Sequence, residues 1–301
     1  MTKLHYTNEV SLRNFQHLDV QLVPEQKAVW LYFKPQPRPC FTMTLLGELA
    51  QFQSVLKHHD GKLHADGEAV AIEYNIISSR DSVFNFGGDL EYFIRCIETR
   101  DRNALKTYAR LAIDAVYYNH IGRELDITTI SLVHGDALGG GFEAALSSHV
   151  LIAEEQAEFG LPEVLFNLFP GMGAYNLLSQ RLCPAEAERL ILSGRRYSAE
   201  EMYVLGVVDT VVPEGMGISA VDQHIRMNRN RGNSLKAINR VRNLVHRLDY
   251  KQLLEIGDIW VDAAFRLGDK ELRIMKYLVR NQQRFAVRDT MATVQSAMHM
   301  S

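Results

Sequence analysis

The sequence predicts an α/β chain with parallel βαβ winding, followed by a unit built only of helices. Three observations lead there. Short apolar runs bounded by polar residues alternate with longer stretches whose apolar positions recur at helical spacing. Glycine-rich turns stand between several of those runs and the helices after them. From about Ser234 onward strand-like runs stop, and amphipathic helical patterns follow one another.

In chain order, "AVWLYFKP" (28–35) is rich in β-branched and aromatic residues and stopped by proline, so it reads as a strand. "FTMTLLGELAQFQSVL" (41–56) has helical spacing despite its internal Gly47. "EAVAIEYNIISS" (68–79) is a near-continuous apolar run, as expected of one strand covered on both faces. A long helical stretch over 90–119 places Phe93, Ile97, Leu105, Tyr108, Ala112 and Val116 mostly on one face, with a break expected at "ETRDRN". The strand "ITTISLVHG" (127–135), a glycine run and a helix come next, then the strand "HVLIAEE" and the helix "AYNLLSQRL". In "LLEIGDIWVDAAFRL" the residues Leu253, Ile256, Ile259, Trp260, Ala263, Ala264 and Leu267 form one apolar face. "VPEGMGIS" (212–219) is the expected joint, by its proline and glycines. The expected organisation is an N-terminal extension (1–27), a core (28–215) and a C-terminal helical unit (216–301).

A chain of 301 residues, 47% of them hydrophobic, can bury a large core in one domain or a domain with an appendage. Its net charge of -3 gives no bulk pull toward nucleic acid or an anionic membrane. No apolar run approaches the roughly 18 residues of a membrane span. The start, "MTKLHYTNEVSLRNF", resembles neither a secretory signal nor a transit peptide, so a cytoplasmic protein is expected. Cys40, Cys96 and Cys183 lie far apart and are read as reduced, mostly buried thiols. "HHDGKLH" (58–64) could bind a metal, but a polar turn with solvated histidines is the simpler reading, and no metal is expected.

The stretch "GDALGGGFEAAL" (135–146) carries three consecutive glycines between a buried strand and a helix. The first amides of a helix have no intrahelical acceptor, and glycines let a ligand oxygen reach them without a β-carbon in the way. For an acyl ligand that oxygen is the carbonyl of a thioester, and an amide aimed at it is worth most when it becomes an anion. Alternatively, Gly139 to Gly141 only allow close strand–helix packing. A second loop, "FNFGGDL" (84–90), repeats the pattern, with Asp89 placed to cap the next helix; on its own it is also an ordinary turn. Glu143 sits in the first turn after the glycines, and Glu163 follows Pro162 as though opening another helix. Each has a plain explanation in the helix dipole. Beside two amide-rich loops, a pair of carboxylates also suits acid–base work at the α and β carbons of a thioester. No GxGxxG or GxSxG is present, and this chemistry needs no cofactor.

"VHGDALGGGFEAAL", "FGLPEVLFNLFPGMGAYNLLSQRL", "GRRYSAEEMYVLGVVDTVVPEG" and "VFNFGGDL" together resemble, in order and spacing, the enoyl-CoA hydratase (crotonase) superfamily over roughly 28–215. "GGGFEAALSSH", "GLPEVLFNLFPGMGAY" and "IWVDAAFRLGDKELRIMKYLVR" carry a closer likeness to the synthases of diffusible signal factors, the cis-2-unsaturated fatty acids of bacterial quorum sensing. The resemblance implies a crotonase-like spiral of ββα repeats with a C-terminal helical unit that takes part in trimer contact. It puts the oxyanion-hole amides on Gly88 and Gly140 and the catalytic carboxylates on Glu143 and Glu163. Met172, Trp260 and Leu278 would line the acyl pocket, unless they are simply core.

The implied activity is dehydration of a 3-hydroxyacyl chain on acyl carrier protein, with acyl-CoA as the other carrier, followed by thioester hydrolysis. Glu163 would take the α proton and Glu143 would protonate the departing hydroxyl. A homotrimer or larger homo-oligomer and a cognate signal receptor or sensor are implied partners. "PRPCFTMTLLGEL" departs from the Asn-Ala-Leu motif of many hydratases, which puts docking of a CoA adenine in doubt. The rival readings are an ordinary enoyl-CoA hydratase or acyl thioesterase, and a non-catalytic acyl-binding or signalling scaffold.

Overall fold

Which strands pair with which decides where the loops of the site come out. The computed structural model describes residues 14–65 and 68–283, together with the short strand His5–Tyr6 (β1). Strand β2 (Leu18–Val23) runs antiparallel to β3 (Ala28–Phe33), from Leu18 opposite Phe33 to Val23 opposite Ala28. The segment expected as an N-terminal extension thus supplies β1 and β2 to the main sheet. All six residues of β3 are buried because the strand has neighbours on both sides and covered faces.

Helix α1 (Met43–His58) starts at Thr42, whose hydroxyl accepts from the Leu45 amide. The run over 68–79 is not one strand. Strands β4 (Lys62–Ala65) and β5 (Glu68–Ala71) form an antiparallel pair, and β6 (Tyr74–Ser79) is separate. The physical reason is that β5 is mostly exposed, whereas β6 is buried throughout between β3 and the next strand.

The long helical stretch divides into α2 (Leu90–Glu98) and α3 (Arg102–His120). Arg100 between them takes a φ of 56°, and Asp101 caps α3 by accepting from the Ala104 amide. Strand β7 (Thr128–Val133) leads through β8 (Ala137–Leu138) into α4 (Gly140–Leu146). Strand β9 (Val150–Glu154) leads through β10 (Glu158–Gly160) into a 3-10 turn at Pro162–Phe166 and α5 (Ala174–Leu178). Helix α6 (Pro184–Ser193), β11 (Arg196–Ser198), α7 (Ala199–Val204) and β12 (Thr210–Val212) complete this part.

The large sheet has the order β1-β2-β3-β6-β7-β9-β12, parallel from β3 onward. A small sheet, β11-β10-β8, lies at its exit, and Asn85 is bridged to Ala137 beside it. Each repeat therefore runs from a long buried strand through a short one into a helix. That is the expected ββα spiral. Its short strands bring successive helix starts to one place.

One apolar cluster lies between the sheet and helices α1 to α7. The other sheet face, including Trp30, Ile76, Ile130 and Ile152, is covered by Val221 and Ile225 of α8 (Gly217–Asn228). Helices α9 (Gly232–Val245), α10 (Tyr250–Ala264) and α11 (269–283) follow. The helical tail thus begins at Gly217, within the joint expected at 212–219 and ahead of the change of pattern at Ser234. On α10, Leu253, Trp260 and Ala264 are buried, but Ile259 is 59% exposed and leaves the expected apolar face. Gly257 and Val261 are buried in its place, and a β-carbon on Gly257 would lie 2.8 Å from Ile113 of α3. Cys40 and Cys96 are buried free thiols, and Cys183 is free but exposed. Among the described residues no helix is long and apolar enough to cross a membrane.

Candidate active site

The loop after β6 is tied down on both sides. Phe84 and Asn85 donate their amides to Asp136 O at 3.0 and 3.1 Å, and Leu138 donates to Asn85 O at 2.9 Å. On the opposite side Phe86 donates to Pro39 O and Phe41 to Gly87 O, each at 2.7 Å. Asp89 caps α2 through the Tyr92 amide and accepts from buried Arg38 at 2.8 Å. The Tyr108 hydroxyl donates to Phe41 O at 2.6 Å and accepts from the Asp89 amide at 3.2 Å. Gly88 is therefore held between fixed neighbours. Its own N–H meets no acceptor among the described residues.

Gly87 has a φ of +89°, and a β-carbon there would lie 2.7 Å from both Gly140 N and Leu138 O. The second loop reaches this point from β8. Gly139 donates to Gly160 O at 2.8 Å, and Gly140 opens α4 with an N–H that has no intrahelical acceptor. A β-carbon on Gly140 would lie 3.6 Å from Gly88 N, so the two amides are close neighbours. One on Gly141 would collide with Asn85 O. The close-packing reading of the triplet holds for Gly141. It does not account for Gly139, whose β-carbon would collide with Glu163 Oε1.

Glu143 is buried one turn into α4. Its Oε1 accepts from the Met172 and Ala174 amides at 2.8 and 2.9 Å. Burial pushes its carboxyl up to about 7, with the Ala174, Met172 and Gly173 amides pulling the other way. Glu163 lies in the 3-10 turn opened by Pro162, a single turn rather than the helix expected there. Its Oε2 is buried and has no hydrogen-bond partner among the described residues. Burial, then the neighbouring Glu143 charge, push this carboxyl up to about 8. Near pH 7 the pair therefore shares one proton. Amides favour the charge on Glu143, and the bare Oε2 favours the proton on Glu163.

Gly88, Gly140, Glu143, Glu163, Met172, Trp260 and Leu278 all line one cavity of about 600 Å³. The structure thus brings together every site residue expected from the sequence. Trp260 on α10 packs edge-on against Phe93 of α2, with ring centroids 5.0 Å apart. Ala109 and Ala112 of α3 line the same cavity. A different stretch of wall is polar: Arg196 bridges Asp136 and Glu158 at 2.9 and 2.8 Å. The sequence reading missed the Met172 and Ala174 amides that hold Glu143. Their signal was "GMG" (171–173) directly before a helix, a third loop of the same kind. No group of three or more His, Cys, Asp or Glu among the described residues could hold a metal ion.

The family model for enoyl-CoA hydratase/isomerase matches residues 61–254. The chain is 34% identical over 184 residues to an enoyl-CoA isomerase/hydratase of Zymoseptoria tritici, covering 60% of this chain and 54% of that protein. It is 30% identical over 153 residues to the fatty acid oxidation complex subunit alpha of Pseudomonas paraeruginosa, covering 50% of this chain and 21% of that subunit. The chain thus spans about half the length of the first relative and about a fifth of the second. The crystal structure of an enoyl-CoA hydratase/isomerase from Xanthobacter autotrophicus Py2 is similar with a TM-score of 0.72. That likeness covers 91% of this chain and 97% of the other at 20% identity, and it shows the shared fold. Because the family match runs through both glycine loops and both glutamates, the chain belongs to the enoyl-CoA hydratase/isomerase family.

Proposed function

We propose that the protein adds water across the double bond of a 2-enoyl thioester. The observation that carries this reading is the unequal setting of the two carboxylates. Two amides stabilise charge on Glu143, while Glu163 keeps a buried Oε2 with no partner among the described residues. Ionised Glu143 takes a proton from water, whose oxygen attacks C3. The C2–C3 π electrons move toward C2, and the thioester oxygen becomes an enolate held by the Gly88 and Gly140 amides. Each such donor contributes about 3 kcal/mol in comparable sites. Glu163 then gives its proton to C2, and exchange with solvent restores the pair. The apolar wall of Met172, Trp260 and Leu278 takes the acyl chain.

Dehydration of a 3-hydroxyacyl thioester is the same path reversed, and it starts with the proton on the other glutamate. The amides on Glu143 disfavour that starting state. The roles expected for dehydration, Glu163 as base at C2 and Glu143 as acid at the hydroxyl, are those of this path run backwards; only their starting protonation is the less favoured one. Release of a cis-2-unsaturated acid from acyl carrier protein, with a signal receptor as partner, is the second reading. One observation favours it: Arg38, just after β3, is buried and paired with Asp89 and Glu91, so it offers no free charge to a nucleotide phosphate.

Purified protein incubated separately with a trans-2-enoyl-CoA and a 3-hydroxyacyl carrier-protein thioester, with products identified by mass spectrometry, distinguishes the two. Formation of 3-hydroxyacyl-CoA supports the hydratase. A free cis-2 acid from the carrier protein, with no hydration of the CoA ester, overturns it.

A further inference from the structure

At the far ends of the helices that hold Glu143 lies a second cavity, of about 270 Å³, which shares no lining residue with the first. Leu146 of α4 and Leu177 of α5 form part of its wall. The rest is dominated by cations and imidazoles: Arg181, Arg242, His120, His149 and His246. The Asp209 carboxylate also lines it, 3.3 Å from Arg181 and accepting from the Leu151 amide at 2.7 Å. Two guanidiniums therefore line the same partly open cavity as one carboxylate.

One of the histidines supplies a free donor. His149 is 5% exposed, and its Nδ1 accepts the Thr129 amide at 3.0 Å. A neutral imidazole whose Nδ1 accepts carries its proton on Nε2. That Nε2 is buried and has no partner among the described residues. His120 is also 5% exposed, but its hydrogen bond to the Ser147 backbone leaves its unpartnered Nε2 an acceptor rather than a donor. Arg242 is anchored by one N–H to His149 O at 2.9 Å, which leaves donors on the same guanidinium. Burial, and next the nearby Arg181 charge, hold the Arg242 guanidinium below its ordinary range. A bound anion would relieve that repulsion.

We propose that this cavity binds a phosphate or phosphoryl group, gripped by Arg181, Arg242 and the Nε2–H of His149. Converging donors of this kind suit a tetrahedral oxyanion, with guanidinium forks matching its oxygens. The volume exceeds that of a phosphate ion, leaving room for part of an esterified group. The shared chemistry admits two sources, free phosphate and a phosphomonoester. The site is independent of the hydratase reading.

The test is calorimetric titration of the full chain with inorganic phosphate and, separately, with adenosine monophosphate, at constant ionic strength in chloride. His149→Asn keeps an acceptor for the Thr129 amide and removes the ring N–H. Arg242→Gln removes a charge on α9 and keeps a side-chain N–H for His149 O. Saturable binding of one phosphate per chain, weakened about tenfold or more in either folded variant, is expected, as for loss of a hydrogen bond to a charged group. Tight adenosine monophosphate with weak phosphate, lost in the same variants, also supports the site and identifies the ester as its source. No saturable binding of either probe, or an unchanged dissociation constant in folded Arg242→Gln, overturns it.

Discussion

Glu163 holds its proton the more firmly because no polar group among the described residues meets its Oε2, and Glu143 is the easier of the pair to ionise because the Met172 and Ala174 amides meet its Oε1. Hydration needs the singly protonated pair, so its rate is expected to rise through about pH 7 and fall through about pH 8. The two limbs belong to the coupled pair rather than to single residues. A flat rate from pH 5 to 9 would contradict this.

The same burial has a stability consequence. The folded-state value of Glu163 stands above its ordinary 4.5, so the folded chain holds a proton that the unfolded chain releases. That contribution is full below about pH 4.5 and is lost as pH rises through about 8. Glu163→Gln cannot ionise; it should abolish hydration while its melting-temperature gain over the native chain grows from pH 5 to pH 8.5. A pH-independent difference would sink the argument. Both glutamates were legible in the sequence because carboxylates beside glycine loops are a side-chain pattern. The clamp on Glu143 was not, since backbone amides leave no letter of their own beyond Gly171 and Gly173.

Among the elements, glycine has opposite roles in different places. Gly47 is exposed on α1 with nothing within 4 Å of the place a β-carbon would take, so Gly47→Ala should stabilise by about 0.5–1 kcal/mol in denaturant unfolding. Gly87→Ala should destabilise by about 1–3 kcal/mol for its φ of +89° alone. It should also depress turnover, because the methyl would push against Gly140 N. Unaltered turnover in folded Gly87→Ala would show that the two loops need not meet. The division of α2 from α3 could be read from the charged break and Asp101. The division of β5 from β6 could not, because apolar character does not reveal that β5 pairs with β4 at the surface. Likewise, β2 has no local signal for its antiparallel partner, which only the folded sheet supplies.

For the whole molecule, the alternation of strands and helices was enough to foresee a parallel sheet with a helical tail. It could not show that Ile259 turns outward. That depends on how α10 meets α3. Trp260 joins that packing to the acyl wall. Trp260→Phe should therefore shift the preference between neighbouring chain lengths toward the longer acyl group by about tenfold or more in kcat/KM. An unchanged ratio would make Trp260 core alone. The residues around Glu143 lean on the same helix. A methyl on Gly171 would run into Trp260, and one on Gly173 would lie 2.9 Å from Leu253. Helix α10 is thus the back wall against which the 171–173 backbone is pressed as it presents its amides to the carboxylate. The tail is then no dispensable appendage: a chain ending before Tyr250 should keep its sheet by circular dichroism yet lose its chemistry, and wild-type turnover from such a fragment would show that the brace is unnecessary.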